Sequence, residues 1–278
     1  MEEELKNIMQ LLKRYDELEI QQAIDWEKYN LYSIVHHSTS IEGASLTEIE
    51  TQLLLDEGIT AKGKPLLHHQ MQTDHYNALL FVKNAAKEKT PFTTDLLRQI
   101  AARVMKSTGN VHNTIRGTFD TSKGDFRLLN VYAGETRFVD FSKVSELIQQ
   151  FCSELNTAIS QEIKKEDALI LSFDAHFNLV SIHPFEDGNG RVSRLVMNYI
   201  QFYHSLPLCN VFKEDKAEYI KALVDTRKSN DIAIFRNFML SQYKKMLEAE
   251  ISKVINPKKT SVSNTDHKSN NKGLPLFF

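Results

Sequence analysis

The fold is decided by residues 166–203, which read EDALILSFDAHFNLVSIHPFEDGNGRVSRLVMNYIQFY. Residues 166–182 are apolar almost all round, and a helix without a polar face is expected at the centre of a helical core. Pro184 restricts the residue before it, so this helix should end near His183. A second helix should begin near Gly190, because apolar residues then recur every three to four positions. Two core helices joined by a short glycine-containing loop are therefore predicted.

The rest of the chain is also predicted to be mostly helical. Ten glycines and six prolines in 278 residues are few, which favours long helices and few turns. Further helical patterns lie at about residues 2–30, 31–42, 68–88, 94–107, 142–164, 214–228 and 231–254. Thr47 and Glu50 form a capping box that should open another helix. Two short β-prone runs, Arg127–Tyr132 and Arg137–Phe141, instead predict a lone β-hairpin.

Composition excludes several classes of protein. The chain has 34 Lys and Arg against 36 Asp and Glu, which gives no electrostatic argument for binding nucleic acid or an acidic membrane. Two cysteines exclude a disulfide scaffold and a multi-cysteine zinc module. The acidic N-terminus does not resemble a secretory signal, and no apolar run approaches the ~18 residues of a membrane span. We therefore expect a soluble protein in the cytoplasm.

The loop between the two core helices holds the residue types that nucleotide chemistry needs. Glycines beside an asparagine at a helix start leave backbone N–H groups open to an anion. Two arginines three positions apart suit a polyphosphate, and an aspartate suits Mg²⁺. A histidine at the end of the preceding helix is a base near neutral pH. These residues are His183, Asp187, Gly188, Asn189, Gly190, Arg191 and Arg194. A plain interhelical turn with two surface arginines explains each residue singly but not all of them together.

The same loop matches H-x-F-x-[DE]-G-N-G-R-x-x-R at every defined position, and it closely resembles the signature of the Fic family. Gly124-Asp125-Phe126-Arg127, followed by the predicted hairpin, resembles the G-x-[FY]-R motif and flap of that family. The resemblance implies an all-α fold with one small β-hairpin flap and added N-terminal helices. With it we divide the chain into N-terminal helices (1–110) and a Fic core (111–254), while the abundance of Lys, Ser, Asn and Thr in residues 255–278 predicts a disordered tail. It also implies Mg²⁺-dependent transfer of AMP from ATP to a Ser, Thr or Tyr hydroxyl of a target protein.

By position, the resemblance gives each residue of the site a role. His183 would be the general base, Asp187 would hold Mg²⁺, and Tyr219 would lie in the nucleoside pocket. The phosphates would be bound by Gly188, Asn189, Gly190, Arg191 and Arg194. A glycine at position 190 favours nucleotidyl transfer, since the Doc branch has a lysine there and transfers phosphate. The flap would hold a segment of the target protein by strand pairing.

A second resemblance lies in the helix at residues 31–42. Ser38 to Gly43 match [ST]-x-x-x-E-[GN], the inhibitory motif of Fic proteins with an N-terminal inhibitory helix. The resemblance implies that Glu42 pairs with Arg194 and keeps that arginine from the γ-phosphate of ATP. Loss of Glu42 should then raise activity, including transfer of AMP to the protein itself.

Two other functions remain open at this stage. The same residues would serve a hydrolase that removes AMP from a modified protein. A nucleotide-binding regulatory module with little turnover is a different class, although binding alone does not need His183. The sequence leaves the target protein, the physiological nucleotide and the oligomeric state open.

Overall fold

The computed structural model describes residues 1–22, 25–134 and 136–256. This part of the chain holds ten α-helices and two antiparallel β-hairpins. The helices are α1 (Glu2–Glu17), α2 (Trp26–Ile41), α3 (Glu48–Glu57), α4 (Leu66–Lys87), α5 (Thr94–Val104), α6 (Phe141–Ile159), α7 (Lys165–Ile182), α8 (Asn189–Tyr203), α9 (Lys216–Ser229) and α10 (Ile232–Ile255). The strands are β1 (Val111–Thr114), β2 (Gly117–Asp120), β3 (Tyr132–Ala133) and β4 (Thr136–Arg137). Short 3-10 turns lie at Ile20–Gln22, Thr121–Lys123 and Lys213–Asp215. The predicted tail begins at residue 255, but Ile255 is still the last residue of α10; residues 257–278 lie outside the described part of the chain.

Helices α7 and α8 pack along each other at the centre of the molecule, as the sequence predicts. The apolar residues of α8 are almost fully buried on both of its sides. On one side they join a cluster formed mainly by α4, α5 and α6. On the other side lies a cluster formed by α1, α7, α9 and α10. The loop between α7 and α8 is therefore anchored at both ends in the core.

The helical fold class is confirmed, and so is the capping box at the start of α3. Thr47 Oγ1 accepts from Glu50 N at 3.2 Å, and Glu50 Oε2 accepts from Thr47 N at 2.8 Å. The single helix predicted over residues 2–30 is wrong, because α1 ends at Glu17 and the next α-helix, α2, begins at Trp26. Glu19 and Asp25 adopt left-handed backbone angles (φ 50° and 60°) that end and re-aim the helices. Neither residue is a glycine, so the sequence carries no signal for this break.

The flap hairpin is present, but it is not the lone hairpin that the sequence predicts. Strands β3 and β4 pair Tyr132 with Arg137 and Ala133 with Thr136. The additional hairpin pairs β1 with β2, and Gly117 supplies a φ of 128° directly after its turn. A single glycine beside short polar strands is a weak sequence signal. No helix in the described ranges is long and apolar enough to cross a membrane.

Candidate active site

His183 ends α7 with a left-handed backbone (φ 55°), which turns its side chain towards the loop. Its Nδ1 lies 3.2 Å from the carbonyl oxygen of Val180. A carbonyl can only accept, so Nδ1 carries the proton and Nε2 keeps a free lone pair. The imidazole stacks on Phe138, with ring centres 3.7 Å apart and planes 15° from parallel. The ring is thus fixed in the tautomer and orientation that a general base requires.

Burial lowers the pKa of His183 to about 4, and the nearby Arg127 and Arg227 charges act in the same direction. The hydrogen bond to Val180 opposes this shift without cancelling it. At neutral pH the imidazole is therefore uncharged. It can accept a proton without first losing one.

The loop after His183 is held by hydrogen bonds between Asn189 and Phe185. The amide of Asn189 accepts from Phe185 N at 3.0 Å and donates to Phe185 O at 2.8 Å. Phe185 is 3% exposed, and its ring lies 5.6 Å from that of Phe126. The side chain of Asn189 therefore shapes the loop, while the aromatic ring anchors the loop in the core.

Two glycines leave space at the start of α8. Gly188 precedes the helix with φ 80°, and a Cβ there would come within 3.0 Å of Met105 Sδ. A Cβ on Gly190 would overlap Oε1 of Glu42. The carboxylate of Glu42 thus lies directly over the first turn of α8. This is where free N–H groups and the helix dipole favour an anion.

Arg194 is bound by Ser38 of α2 and by Glu42, the residue directly after that helix. Its Nε donates to Ser38 Oγ at 2.8 Å, and its Nη2 donates to Ser38 O at 2.9 Å. Nη2 also donates to Glu42 Oε1 at 2.6 Å, and the side chain of Arg194 is only 3% exposed. Desolvation alone would raise the pKa of Glu42, but the Arg194 charge and hydrogen bond outweigh it and lower that pKa. Glu42 is therefore ionised and paired at neutral pH.

Arg191 has a different environment from Arg194. It is 2% exposed and points at the C-terminal end of α5, where Nη1 donates to Val104 O at 3.3 Å. Its Nη2 lies 3.1 Å from Met105 Sδ and 3.8 Å from Asp187 Oδ2. The guanidinium therefore joins the loop to α5, and it places a buried positive charge behind the first turn of α8.

Asp187 is the residue of the loop suited to a metal ion. Its side chain is 71% exposed, and Oδ1 accepts from Gly188 N at 2.6 Å. Across the described residues no group of three or more His, Cys, Asp or Glu is placed to hold a metal. Mg²⁺ commonly takes one or two carboxylates and fills its other positions with phosphate oxygens and water. The single open carboxylate of Asp187 fits that pattern.

A cavity of about 380 Å³ runs from Gly190 and Glu42 past His183 to the flap residue Phe138. This volume is in the range of small-ligand sites. Tyr219 lines the cavity, is 2% exposed, and has its hydroxyl 2.9 Å from His176 Nε2. Two cations that the sequence analysis did not assign, Lys216 and Arg227, also line it. His183, Gly190, Glu42 and Tyr219 thus line one cavity. The other predicted residues of the loop are not part of its lining: Asp187, Gly188, Asn189, Arg191 and Arg194.

Arg127 is the structural residue that sequence reasoning missed. It is 1% exposed, and it donates to the carbonyl oxygens of His183, Leu129 and Val139 at 2.7 Å each. Its backbone N–H also donates to Pro184 O at 3.0 Å. One guanidinium thus ties the end of α7 to both ends of the flap segment. Its position in the G-x-F-R motif was the only signal, and a motif does not reveal burial.

Comparison with known proteins agrees with this arrangement. Residues 91–201 match the model of the Fic/DOC family. The protein adenylyltransferase fic-1 of Caenorhabditis elegans is 29% identical over 251 residues, which cover 90% of this chain and 46% of that protein. The protein adenylyltransferase Fic of Drosophila willistoni is 27% identical over 274 residues, 90% of this chain and 52% of that protein. The chain spans about half the length of these curated relatives.

Solved structures share the fold. A Fic domain containing signaling protein from Bacteroides thetaiotaomicron superposes with a TM-score of 0.76 at 22% identity, over 90% of this chain and 97% of that one. A fragment of Fic-1 from C. elegans gives 0.73 at 25% identity, over 94% and 73%. The family match runs from α5 through most of α8, and so it includes the flap and the loop between α7 and α8. The chain is therefore similar to proteins of the Fic/DOC family, with the family match at residues 91–201, and it shares the fold of solved Fic structures.

Proposed function

We propose that the chain is an autoinhibited protein adenylyltransferase, which transfers AMP from ATP to a hydroxyl of a target protein. The observation that carries this proposal is the position of Glu42. Its carboxylate lies over the first turn of α8 and accepts from Arg194 Nη2 at 2.6 Å. An anion site and its cation are therefore present and are held by a residue of the protein itself. The names of the relatives, which align with 90% of the chain, support the reaction type.

In the proposed reaction, the hydroxyl oxygen of a target Ser, Thr or Tyr attacks the α-phosphorus of ATP. The bond from that phosphorus to the bridging oxygen breaks, and pyrophosphate leaves. Nε2 of His183 accepts the hydroxyl proton, since Nδ1 is engaged by Val180 O. The first turn of α8, with Gly188 and Gly190, would stabilise the negative charge on the transferred phosphate.

Asp187 would hold Mg²⁺, which neutralises charge on the phosphates when bound. Arg194 would bind the outer phosphates once Glu42 has moved away. Tyr219 lines the cavity beside Leu223 and would contact the nucleoside. The flap hairpin would align a segment of the target by strand pairing, next to the Phe138 ring that stacks on His183.

The inhibition follows from competition for one site. While Glu42 is ionised and paired, a γ-phosphate approaching Arg194 meets a like charge at short range. ATP then binds without its outer phosphates in place, and the α-phosphorus is not aligned with His183. Replacing Glu42 removes this repulsion and frees one donor of Arg194.

The test uses α-labelled ATP, Mg²⁺ and a cell lysate, with label on protein followed by gel and by mass. We expect Glu42→Gly to raise labelling at least about tenfold over the wild type, and Glu42→Gly with His183→Ala to abolish it. Ser40→Gly is the matched control, since Ser40 lies in the last turn of α2, two residues before Glu42, and none of the bonds to Arg194 involves it.

Each outcome bears on a separate part of the proposal. If Glu42→Gly and Ser40→Gly raise labelling above that of the wild type by the same factor, the rise results from loosening of α2 and not from loss of the carboxylate. Labelling that persists without His183 would remove its role as the base. Release of AMP from a pre-labelled lysate, with no new labelling, would identify the hydrolase.

A further inference from the structure

Arg194 has one donor group that the inhibitory contacts leave unused. Its Nη1 is buried and, within the described ranges, has no hydrogen-bond partner. A Cβ built on Gly190 would lie 3.2 Å from this atom and would overlap the carboxylate of Glu42. Nη1 therefore faces the first turn of α8, where that carboxylate covers it. When Glu42 moves away, this donor becomes available to an anion at the turn.

The contacts of Arg194 come from two different parts of the fold. Ser38 and Glu42 belong to α2 and to the residue directly after it. The proposed release of inhibition moves Glu42, so these contacts cannot all persist in the active state. Tyr219 instead belongs to α9, and its ring is part of the core cluster formed by α1, α7, α9 and α10. A contact from Tyr219 to Arg194 therefore does not depend on the position of α2.

The hydroxyl of Tyr219 lies beside Arg194. Tyr219 is 2% exposed, and it lines the catalytic cavity together with Glu42 and Gly190. Burial raises the pKa of Tyr219, while the charge of Arg194 and a hydrogen bond from it act in the opposite direction. Burial alone would lower the pKa of Arg194, but Glu42 and the Tyr219 hydroxyl raise it. A guanidinium can only donate, so the phenol oxygen is the acceptor in this contact.

His176 determines where the hydroxyl proton of Tyr219 points. Its Nε2 lies 2.9 Å from the hydroxyl oxygen, and both side chains are at most 2% exposed. Because the phenol oxygen accepts from Arg194, its own proton is directed to His176 Nε2, which must accept it. Burial and the charges of Arg194 and Arg227 lower the pKa of His176, so the imidazole is neutral and has the lone pair that this requires. A chain of hydrogen bonds thus runs from α7 through Tyr219 to Arg194.

We propose that the Tyr219 hydroxyl and His176 are positioning residues, which keep Arg194 aligned with the outer phosphates of ATP after Glu42 has moved. This role rests on the proposed function of the site. The ring of Tyr219 contacts the nucleoside, whereas its hydroxyl acts separately, through Arg194. Loss of the hydroxyl should therefore weaken the binding of ATP, which has outer phosphates, and spare AMP, which lacks them.

The experiment measures binding of ATP and AMP by isothermal titration calorimetry in the presence of Mg²⁺. The protein carries Glu42→Gly to open the anion site and His183→Ala so that ATP is not consumed. In this background Tyr219→Phe should raise the dissociation constant for ATP at least about fivefold and that for AMP less than about twofold. A role of the ring alone would leave both constants unchanged, because phenylalanine keeps the ring.

Further variants in the same background separate positioning from stability. His176→Leu removes the acceptor of the hydroxyl proton and should weaken ATP about as much as Tyr219→Phe does, whereas His176→Gln keeps an acceptor and should restore most of the affinity. Tyr243→Phe is the matched control. Tyr243 is buried in the same cluster, its hydroxyl donates to Pro207 O at 3.0 Å, and none of the described bonds to Arg194 involves it. It should lower the free energy of unfolding without changing either dissociation constant.

Three results would overturn this role and leave the proposed function intact. They are an equal change in the affinity for ATP and for AMP, a loss of ATP binding in Tyr243→Phe as large as that in Tyr219→Phe, and unchanged ATP binding in His176→Leu. The binding measurements do not depend on transfer of label, so a failed transfer assay does not affect them. Absence of binding by both nucleotides would instead contradict the proposed function, and this role with it.

Discussion

The catalytic loop and the flap lie side by side but are stabilised in opposite ways. The loop from His183 to Asn189 is bonded to the core through Phe185 and Arg127, and it opens a helix that is almost entirely buried. The flap has two residues in each strand, and its Tyr132 is 63% exposed. The difference indicates that folding itself fixes the geometry around His183, whereas we expect the flap to gain order only if a target segment binds it as proposed. Variants of the two regions should therefore separate stability from target recognition.

The largest effect is expected at Arg127, the residue that joins the two regions. Arg127→Ala leaves three carbonyl oxygens without their charged donor, and hydrogen bonds to charged groups are among the stronger ones. We expect the free energy of unfolding in urea to fall by about 4 kcal/mol. Arg116→Ala is the control, because Arg116 is exposed and lies over the Phe141 ring at 4.3 Å. Equal losses in the two variants would contradict the structural role of Arg127.

A smaller effect is expected within the loop itself. Asn189→Ala removes both hydrogen bonds to the backbone of Phe185 and leaves a buried N–H and C=O unsatisfied. We expect a loss of about 2 kcal/mol in the free energy of unfolding. The measurement is urea unfolding followed by far-UV circular dichroism. Asn178→Ala, an exposed change on α7, should cost less than about 0.5 kcal/mol. An Asn189→Ala protein as stable as the wild type would mean that the Phe185 ring and Arg127 hold the loop without the Asn189 amide.

The titration of His183 should have a still smaller effect. Its pKa is about 4 in the folded protein, against 6.5 when exposed, so the unfolded chain binds more protons between these values. Stability that is complete above pH 6.5 should therefore decrease as the pH falls towards 4. The ring is only partly buried, so the expected effect is modest. We expect the free energy of unfolding of the wild type, relative to that of His183→Gln, to be about 1 kcal/mol lower at pH 5 than at pH 7.

Urea unfolding of both proteins at several pH values isolates this contribution from that of His36, which is shifted similarly and is present in both. A constant difference across the range would show that the ring titrates normally. The proposed base function gives a second readout. The rate of AMP transfer should then begin to fall, as the pH is lowered and His183 is protonated, nearer pH 4 than pH 6.5.

The sequence predicted the parts of the structure that local pattern controls. Apolar periodicity and Pro184 gave α7, α8 and the position of the loop between them, and Thr47 with Glu50 gave the start of α3. It could not give the break after Glu17, because left-handed angles at ordinary residues depend on packing.

The site followed the same division. The residues of the loop were identified by their spacing, but of these only His183 and Gly190 line the cavity, together with Glu42 and Tyr219. The burial of Arg127 was not foreseen, because two of its three carbonyl partners, His183 and Val139, come from segments that only the fold brings together. For the same reason, the inward orientation of Arg191 towards α5 depends on a contact that no local motif contains.

The smallest effect on stability is expected at the flap. Ala133 pairs with Thr136 beside the turn, and Phe138 N donates to Val131 O at 3.4 Å. Pairs alternate along an antiparallel hairpin, so Tyr132 and Arg137 form the pair whose backbone groups point outward. Arg137→Pro therefore removes an outward N–H without breaking the hairpin. We expect it to change the free energy of unfolding by less than about 0.5 kcal/mol.

The same variant tests strand pairing with a target, measured in the Glu42→Gly background where transfer is expected. If a target segment pairs along the edge at Arg137, loss of that N–H should lower labelling of protein while the affinity for ATP stays constant. Arg137→Ala is the matched control, since it removes the charge and keeps the N–H. Labelling that falls only with proline assigns recognition to the backbone, and an equal fall in both variants assigns it to the guanidinium. Unchanged labelling in both would mean that the target is held elsewhere, and the flap would then be loose without serving recognition.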